Sequence, residues 1–378
     1  MLIYLIMTHA CNLNCLHCYA ASVNGDRESV RKPEVLPIEA VEAFIEVLKQ
    51  TDAYREEQGK FAFIFHGGEP LLVGEDRIIQ VCEAIKKKVP CHGKFEFQLQ
   101  TNLTLVKDST VDLIENYFDG FVGTSFDPGI RQLGGSYLKF KFIWERNVRF
   151  LVERGVHITV NVTLAGETGR CIKRFHSIVT YLKSLGINNI HIERFLLQGR
   201  GVLHKDRLYV SDDDYFIFMH TLLDWYMDYL IRWYRKGSKK EEALFINPLD
   251  QMLYLAKFNK GASCFAGDCM GNTLALDCNG DVYSCPAFVF SGKEFSFGNV
   301  FRDSAEDIFF NPKRLQSITE QVFSGCEGCD YSHLCHRGCP RQPLTVANRV
   351  ICQRFFEKLV NYSEKYGHII KRLLEDNL

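Results

Sequence analysis

The chain has 378 residues, of which 46% are hydrophobic and 24% are charged. This composition is ordinary for a globular protein with one large core or two domains. The formal net charge of −1 gives no support for a nucleic-acid-binding surface or for attraction to an anionic membrane. The opening sequence, MLIYLIMTHAC, lacks the basic region and the long apolar run of a secretory signal.

Residues 1–200 alternate short apolar segments with amphipathic ones. The short, β-rich segments predict strands at 2–7, 61–65, 95–100, 120–126, 157–164 and 189–197. The amphipathic segments predict helices at 37–50, 77–88, 109–118, 141–155 and 172–186. This α/β order predicts a parallel sheet with right-handed crossovers, which the pattern allows as an open partial barrel or as a doubly wound sheet. In both architectures the functional residues gather at the C-terminal ends of the strands.

Residues 201–262 are predicted to form a helical bridge. Within it, residues 215–234 are apolar except for a stripe of polar residues at four-residue steps, namely His220, Asp224, Asp228 and Arg232. A single polar stripe favours a mostly buried helix over a membrane span, and the alternative is a stripe that faces a pocket. Residues 263–355 predict a small metal-organised domain, because they hold many cysteines and few helical patterns. Residues 356–378 predict a C-terminal amphipathic helix.

Fifteen cysteines are the unusual feature of the composition. In a large chain without a secretory signal they indicate metal binding rather than disulfides. Three lie within residues 11–18, and eight of the others lie at short spacings between residues 264 and 352. The remaining four are interpreted as buried or incidental thiols; they are Cys82, Cys91, Cys171 and Cys278.

Polar motifs follow the first four predicted strands. The first strand leads into a C-x3-C-x2-C loop, whose three thiolates leave one metal position open and whose spacing is not usual for zinc. The second strand leads into HGGEP (66–70), the third into TN (101–102) and the fourth into SFD (125–127). We therefore expect these loops to converge at one mouth of the sheet or barrel.

The segment CNLNCLHC resembles the signature of radical S-adenosylmethionine (AdoMet) enzymes, which have a partial (β/α)6 barrel resembling a TIM barrel. In that family three cysteines hold a [4Fe–4S] cluster, and its fourth iron binds the methionine amine and carboxylate of AdoMet. The resemblance implies that the cluster ligands are Cys11, Cys15 and Cys18, with His17 near the adenine. It also implies AdoMet contacts from Gly67, Gly68, Glu69, Pro70, Asn102, Ser125 and Asp127. The usual S-x-D-G of the family reads S-F-D-P here, which makes that loop a departure from the pattern.

A second set of cysteines resembles the SPASM extension of radical AdoMet enzymes, which holds two auxiliary [4Fe–4S] clusters. The pattern is C-x10-G-x4-C from Cys269 to Cys285, followed by C-x2-C-x5-C-x3-C from Cys326 to Cys339 and then Cys352. The crossed arrangement of that family implies one cluster on Cys264, Cys269, Cys285 and Cys339. It implies another on Cys326, Cys329, Cys335 and Cys352. Cys278 could take the place of Cys264, and four-cysteine zinc sites could take the place of the clusters.

The resemblance implies an enzyme that cleaves AdoMet to a 5′-deoxyadenosyl radical and oxidatively modifies or crosslinks side chains of a peptide. Eight auxiliary cysteines leave no open iron, so we expect these clusters to transfer electrons. Sulfatase maturases of this group have an Asp base directly after the cysteine that corresponds to Cys285, whereas Pro286 stands here. We therefore rank a sulfatase-type maturase lower than a peptide crosslinking enzyme. Two further hypotheses are the same chemistry on a small metabolite and an iron–sulfur electron carrier without catalysis.

We assign no general base from the sequence. Glu193 and Asp127 are weak catalytic candidates, and structural ion pairing of Glu193 and Arg194 is at least as well supported. The expected partners are a precursor peptide and a flavodoxin- or ferredoxin-like electron donor. Because the first strand starts at residue 1 or 2, we expect no N-terminal leader-binding module, so the barrel, the bridge or a separate protein would recognise the peptide. Oxygen destroys clusters with an open iron, so we expect a reducing, cytoplasmic compartment.

Overall fold

Strands and helices alternate through the first part of the chain, close to the positions that the sequence predicts. The strands are β1 (Leu2–Ile6), β2 (Phe61–His66), β3 (Phe95–Leu99), β4 (Phe121–Ser125), β5 (His157–Leu164) and β6 (Asn189–Arg194). The helices between them are α1 (Ile38–Leu48), α2 (Glu75–Lys88), α3 (Asp108–Tyr117), α4 (Tyr137–Val152) and α5 (Ile172–Ser184). All six predicted strands and all five predicted helices are therefore confirmed, with ends that differ by a few residues.

Shorter strands and longer helices follow. The strands are β7 (Phe245–Asn247), β8 (Thr273–Leu276), β9 (Asp281–Tyr283) and β10 (Gly298–Asn299). The helices are α6 (Asp212–Arg235), α7 (Leu249–Phe258), α8 (Pro312–Phe323) and α9 (Arg349–Leu374). Short helical turns lie at Pro70–Val73, Glu167–Arg170, Gly199–His204, Lys205–Leu208, Lys240–Glu242, Cys269–Asn272, Pro286–Val289, Lys293–Phe295, Ala305–Phe309 and Ser332–Cys335. The C-terminal helix begins at Arg349, so it includes Cys352, which the sequence analysis placed before it.

The structure is a computed structural model that describes residues 1–21, 34–51, 61–89, 95–259, 269–323, 327–335, 338–344 and 349–374, with only the backbone at 321–323. These residues form two units. The first contains residues 1–158, 197–204 and 270–318, and the second contains residues 159–196, 205–269 and 319–378. This division differs from the predicted one into 1–200, 201–262, 263–355 and 356–378, because part of the cysteine-rich segment belongs with the N-terminal strands.

A six-stranded sheet in the order β10-β9-β8-β1-β2-β3 organises the first unit. Strands β8, β1, β2 and β3 run parallel, with Leu2 opposite both Ala62 and Thr273. One face of β2 is aromatic, since Phe63 and Phe65 are buried against the rings of Phe97 and Phe118. Its other face carries His66, whose ring meets Tyr4 edge to face. The C-terminal ends of four parallel strands therefore lie along one rim, and β8 is a strand of that rim which the sequence analysis did not predict.

The second unit combines a small parallel sheet, β5-β6-β7, with the long helices α6, α7 and α9. Phe216 of α6 is buried against Phe355 and Phe356 of α9, with ring centroids 5.7 Å and 6.1 Å apart. This aromatic contact forms the core between the two helices. None of the helices in the described ranges has an apolar stretch long enough to cross a bilayer.

The polar stripe of α6 contacts α9. Asp224 accepts hydrogen bonds from the Lys358 ammonium at 2.7 Å and the Tyr362 hydroxyl at 2.8 Å. The same ammonium lies 3.1 Å from Nδ1 of His220. These contacts support the interpretation of the stripe as a structural feature of packed helices.

We predict that packing, rather than the polar stripe, holds α9 on α6. Phe355→Ala removes a fully buried ring, so it should lower the free energy of unfolding by about 3 to 5 kcal/mol. Lys358→Met, less than one turn away, breaks a partly exposed ion pair and should cost about 1 kcal/mol or less. Urea unfolding followed by circular dichroism measures both, and equal losses would contradict the prediction.

Candidate active site

Backbone hydrogen bonds hold the loop that carries the first three cysteines. The amide of Asn14 donates to the carbonyl of Gln132 at 2.7 Å, and the amide of Leu16 donates to the carbonyl of Ile130 at 3.0 Å. Cys15 is buried between these two contacts. The segment 130–133 therefore fixes the path of the cysteine loop from one side.

A second segment contacts the same loop after β6. Gly199 has φ of +56°, and a Cβ there would lie 2.6 Å from the carbonyl oxygen of Cys18. The Arg200 amide donates to that Cys18 oxygen at 3.0 Å, and the Arg200 guanidinium donates to the carbonyl of Cys15 at 3.3 Å. The sequence analysis did not predict this contact, although the G-R-G of residues 199–201 was a signal for close backbone approach.

The three thiols suit metal binding in their chemistry and their surroundings. Burial raises the pKa of Cys11 to about 12 and that of Cys15 to about 11, so both are protonated at neutral pH when no metal is bound. A metal would displace these protons, because the thiolate is the ligand. Cys18 is half-buried and shares the loop, so three thiols come from eight consecutive residues.

The two glycines of HGGEP lie directly against the end of β1. The amide of Gly68 donates to the carbonyl of Thr8 at 2.7 Å, and the amide of Glu69 donates to that of Ala10 at 2.8 Å. A Cβ on Gly67 would lie 2.4 Å from the Thr8 oxygen, and one on Gly68 would lie 2.1 Å from the Ala10 oxygen. Only glycine permits this approach, which continues the β1–β2 pairing into the loop that leads to Cys11.

The carboxylate of Glu69 joins the ends of β2 and β3. It accepts hydrogen bonds from the Thr101 hydroxyl at 2.6 Å, the Asn102 amide at 2.7 Å and the Leu71 amide at 3.0 Å. Burial raises the pKa of Glu69, and these three donors oppose that effect. Thr101 is thus a residue of the site that the sequence analysis passed over, although it noted the TN dipeptide.

Asn102 extends this network to the cysteine loop. Its side-chain amide donates to Oδ1 of Asn12 at 2.8 Å, and its own oxygen accepts from the Thr104 hydroxyl at 2.6 Å. Asn12 in turn donates to the Thr104 hydroxyl at 2.8 Å. Because Asn12 lies between Cys11 and Cys15, the end of β3 contacts the cysteine loop directly.

The S-F-D-P segment after β4 contributes a buried acid. Asp127 accepts hydrogen bonds from Nε of Arg131 at 2.7 Å, and its carboxylate lies 3.1 Å from Nε2 of His17. Asp127 therefore contacts the cysteine loop, and its contact with AdoMet stays a prediction. Ser125 accepts from the Gln100 side chain at 3.3 Å.

Two histidines at the rim have buried nitrogens without a partner among the described residues. One is Nδ1 of His17, beside the third cysteine, and the other is Nδ1 of His66, at the end of β2. Burial lowers the pKa of His66 to about 4, so its imidazole is neutral at pH 7 and Nδ1 can accept or donate one hydrogen bond. The sequence analysis missed His66, although its place directly before Gly67 was the available signal.

The end of β8 brings a further acid to the same rim. Oδ1 of Asp277 lies 2.6 Å from Nε2 of His9, which precedes the cysteine loop. The neighbouring Cys278 is buried, and its thiol donates to the carbonyl of Ile6 at 3.0 Å. This environment supports a structural thiol at Cys278 and gives no support for its use as the eighth auxiliary ligand.

Six of the eight predicted auxiliary cysteines lie within the described residues. Cys269 begins the turn Cys269–Asn272, and Cys285 precedes the turn Pro286–Val289. In the second unit, Gln353 donates to the sulfur of Cys329 at 4.0 Å, which brings the neighbour of Cys352 close to Cys329. Cys335 ends a short helix, and its carbonyl accepts from the amide of Gly338, which leads into Cys339. Cys264 and Cys326 lie outside the described residues, as does Cys91.

The weak catalytic candidates on β6 have different surroundings. Arg194 is ion-paired with the buried Asp212 at the first turn of α6, and its guanidinium also donates to the carbonyl of Gln342 at 3.4 Å. Glu193 accepts from the side chain of Asn161 at 3.0 Å. Arg194 is therefore a structural residue of the second unit, and the prediction for Glu193 stays a prediction.

The described residues fit an iron–sulfur cluster and an AdoMet-like ligand in the first unit. Three thiols come from one loop. Gly67 and Gly68 form a cradle that has no space for a Cβ. His17 offers a buried nitrogen without a partner among the described residues. The loops after β1, β2, β3 and β4 are joined by direct hydrogen bonds. The expected convergence of these loops is thus found within the first unit.

Two family models match the chain. A radical SAM superfamily model matches residues 5–177, and a SPASM iron–sulfur cluster-binding domain model matches residues 264–336. These matches confirm the resemblance that the two sets of cysteines carry. They also confirm the fold class that the alternation of strands and helices predicts.

Curated proteins and solved structures are similar to this chain. The cysteine-type anaerobic sulfatase-maturating enzyme of Clostridium perfringens (strain 13 / Type A) is 25% identical, over 88% of this chain and 86% of the relative. The antilisterial bacteriocin subtilosin biosynthesis protein AlbA of Bacillus subtilis (strain 168) is 23% identical, over 87% of this chain and 65% of the relative. The structure described as native anSMEcpe with bound AdoMet and Kp18Cys peptide has a TM-score of 0.74 at 22% identity, covering 96% of this chain and 99% of that one. The structural likeness shows a common fold.

We predict that the glycine cradle tolerates no side chain. Gly68→Ala drives a Cβ into the Ala10 carbonyl and should lower the free energy of unfolding by about 2 kcal/mol or more. Gly271→Ala is the matched control, because its Cβ would meet nothing within 4 Å and the residue lies in a helical turn. The control should be neutral or should stabilise by about 0.5 kcal/mol. Urea unfolding midpoints distinguish the two, and equal effects would contradict the steric argument.

Proposed function

The chain belongs to the radical SAM superfamily and carries a SPASM iron–sulfur cluster-binding domain, and from this we propose that it oxidises or crosslinks side chains of a peptide. The proposal that the chain is a radical AdoMet enzyme rests on one structural observation, the hydrogen-bonded rim around the three-cysteine loop. Cys11, Cys15 and Cys18 would hold a [4Fe–4S] cluster with an open iron. Bound AdoMet at that iron would supply a 5′-deoxyadenosyl radical.

The residues of the rim would bind and orient AdoMet. The Gly67–Gly68 cradle holds the backbone of β2 against β1, which leaves the loop surface free of side chains. Glu69 and Asn102 fix the relative positions of the β2 end, the β3 end and the cysteine loop. His17 would present its buried Nδ1 near the adenine. These roles follow from the fit of the residues to the family motif.

Similarity to enzymes that modify proteins and peptides supports a peptide substrate. One relative is named as a sulfatase-maturating enzyme and another as a bacteriocin biosynthesis protein. The solved structure of similar fold contains a bound peptide by its description. Small-metabolite chemistry is the second candidate, and these comparisons favour it less.

The residue after Cys285 argues against formylglycine formation. Pro286 is buried at the first position of the turn Pro286–Val289, and it carries no group that could take a proton. In the motif of the sulfatase maturases, the residue directly after the corresponding cysteine is an Asp that acts as the base. A crosslinking reaction is therefore favoured over a sulfatase-type oxidation.

The auxiliary cysteines would serve electron transfer. If all eight are ligands, both auxiliary clusters are fully coordinated and offer no site to a substrate. When a substrate radical forms a new bond with loss of a proton, one electron must leave, and a fully coordinated cluster is a suitable acceptor. A flavodoxin- or ferredoxin-like protein would supply the electron that starts each turnover.

Iron and acid-labile sulfide after anaerobic reconstitution test the cluster assignment. We expect about twelve iron atoms per chain in the wild type and about eight in the Cys11/Cys15/Cys18→Ala variant. The variant should also lose formation of 5′-deoxyadenosine from AdoMet. Cys82→Ala/Cys171→Ala is the matched control and should keep the wild-type iron content. A wild-type value near four, with zinc in the remaining sites, would contradict the auxiliary electron path.

Mass spectrometry of a cysteine-containing peptide tests the reaction class. The reconstituted enzyme, AdoMet and a one-electron reductant are incubated with a sulfatase-type cysteine peptide and with precursor-type peptides that contain several cysteines. Loss of two hydrogens with retention of sulfur is the expected result, because a crosslink keeps the sulfur atom. Replacement of the cysteine sulfur by a carbonyl oxygen would establish the formylglycine reaction, and turnover of small metabolites alone would contradict the peptide proposal.

A further inference from the structure

A guanidinium group lies beside the second cysteine of the loop. Nη1 of Arg131 is 4.0 Å from the sulfur of Cys15, and the Arg131 side chain is 17% exposed. Arg131 belongs to the segment whose carbonyls accept hydrogen bonds from Asn14 and Leu16. The guanidinium is therefore carried by the same segment that fixes the cysteine loop.

A buried carboxylate holds that guanidinium in place. Oδ2 of Asp127 accepts a hydrogen bond from Nε of Arg131 at 2.7 Å, and the Asp127 side chain is only 1% exposed. The same oxygen lies 3.1 Å from Nε2 of His17, which is the residue before Cys18. Asp127 thus bridges the cation near one cysteine and the imidazole next to another.

These two charges act on Cys15 with opposite signs. The Arg131 cation lies 4.0 Å from the Cys15 sulfur, and the Asp127 anion is ion-paired with that same guanidinium at 2.7 Å, so a positive and a negative charge lie close to the cysteine. Charge interactions are stronger here than in water, because Cys15 and Asp127 are buried. Arg200 also contacts Cys15, but its guanidinium donates to the backbone carbonyl.

We propose that Arg131 raises the reduction potential of the cluster held by Cys11, Cys15 and Cys18, and that Asp127 lowers it. The inference rests on the proposed function, since it requires a cluster on these ligands. Reduction adds one electron from a ferredoxin- or flavodoxin-like donor and makes the cluster site more negative by one charge. A fixed cation near a ligand sulfur stabilises the reduced form, and a fixed anion destabilises it.

This assignment gives Asp127 a role different from contact with AdoMet. Asp127 of the S-F-D-P segment lies where it orients Arg131 and contacts His17. Arg131 and Asp127 are positioning residues in this account, because neither needs to touch the reacting atoms. Through the reduction potential, the pair would set the fraction of chains whose cluster a weak one-electron donor can reduce.

The test is a redox titration of the anaerobically reconstituted full chain, followed by electron paramagnetic resonance without AdoMet. The signal of the catalytic cluster is identified by its loss in the Cys11/Cys15/Cys18→Ala variant. The variants are Arg131→Gln, Arg131→Lys and Asp127→Asn. The matched control is Arg149→Gln, because Arg149 is paired with Glu145 on an exposed turn of α4.

Opposite shifts are expected from the two members of the pair. At a fixed potential, Arg131→Gln should lower the ratio of reduced to oxidised cluster at least tenfold, which is 59 mV for a one-electron couple. Asp127→Asn should raise that ratio at least threefold, because an amide keeps the shape and removes the charge. Arg131→Lys keeps the cation and should change the ratio less than threefold. Arg149→Gln should leave it unchanged.

A purely structural role would give a different pattern. Damage to the loop would move Arg131→Gln and Asp127→Asn in the same direction or remove the cluster from both, and either result would overturn the inference. If Arg131→Gln alone loses its cluster, an unshifted potential in Asp127→Asn overturns it as well. A wild-type chain without the signal would overturn the proposed function together with this inference, whereas equal potentials in the wild type and the variants overturn this inference alone.

Discussion

The buried carboxylate of Glu69 is the interaction on which the rest of the site depends. Its oxygens accept hydrogen bonds from three donors that the ends of β2 and β3 supply. A buried carboxyl group without those donors would be costly, so the three bonds stabilise the observed relative position of the two strand ends. The two glycines before Glu69 pack directly against the backbone of Thr8 and Ala10 after β1, where there is no space for a Cβ. The cysteine loop therefore starts from a rigid rim.

The strand and helix pattern was predictable because each element buries one face, and burial imposes a period that the sequence shows. The cysteine loop and the GGEP loop were predictable because their residue types have few other uses at that spacing. The contacts of Thr101, Arg200 and Arg131 were not, since each depends on which loops meet at the rim. Strand β8 was missed for a related reason. It is four residues long, and its pairing with β1 on one side and β9 on the other makes it a strand.

The surroundings of Asp127 and Cys278 also depend on contacts between distant segments, which the sequence does not show. The sequence could show that Asp127 follows β4, but its direction toward His17 and Arg131 depends on the turn after the S-F-D-P segment. The sequence analysis interpreted Cys278 as a buried thiol, with a role as eighth auxiliary ligand as the alternative. In the fold it is buried against the carbonyl of Ile6, in an apolar cluster with Tyr283 and Val289. The sequence could not show this packing, because it depends on β8 and β9 joining the first sheet.

One buried amide connects the two sets of cysteines within the first unit. Nε2 of Gln198 donates to the carbonyl of Tyr19 at 3.3 Å and to that of Ala287 at 2.9 Å. Tyr19 follows Cys18, and Ala287 lies in the turn that Cys285 precedes. The backbone next to each cysteine is thus held by the same side chain, which is 7% exposed. If both cysteines are cluster ligands, their separation is fixed by this contact, and a fixed separation is what electron transfer between two clusters requires.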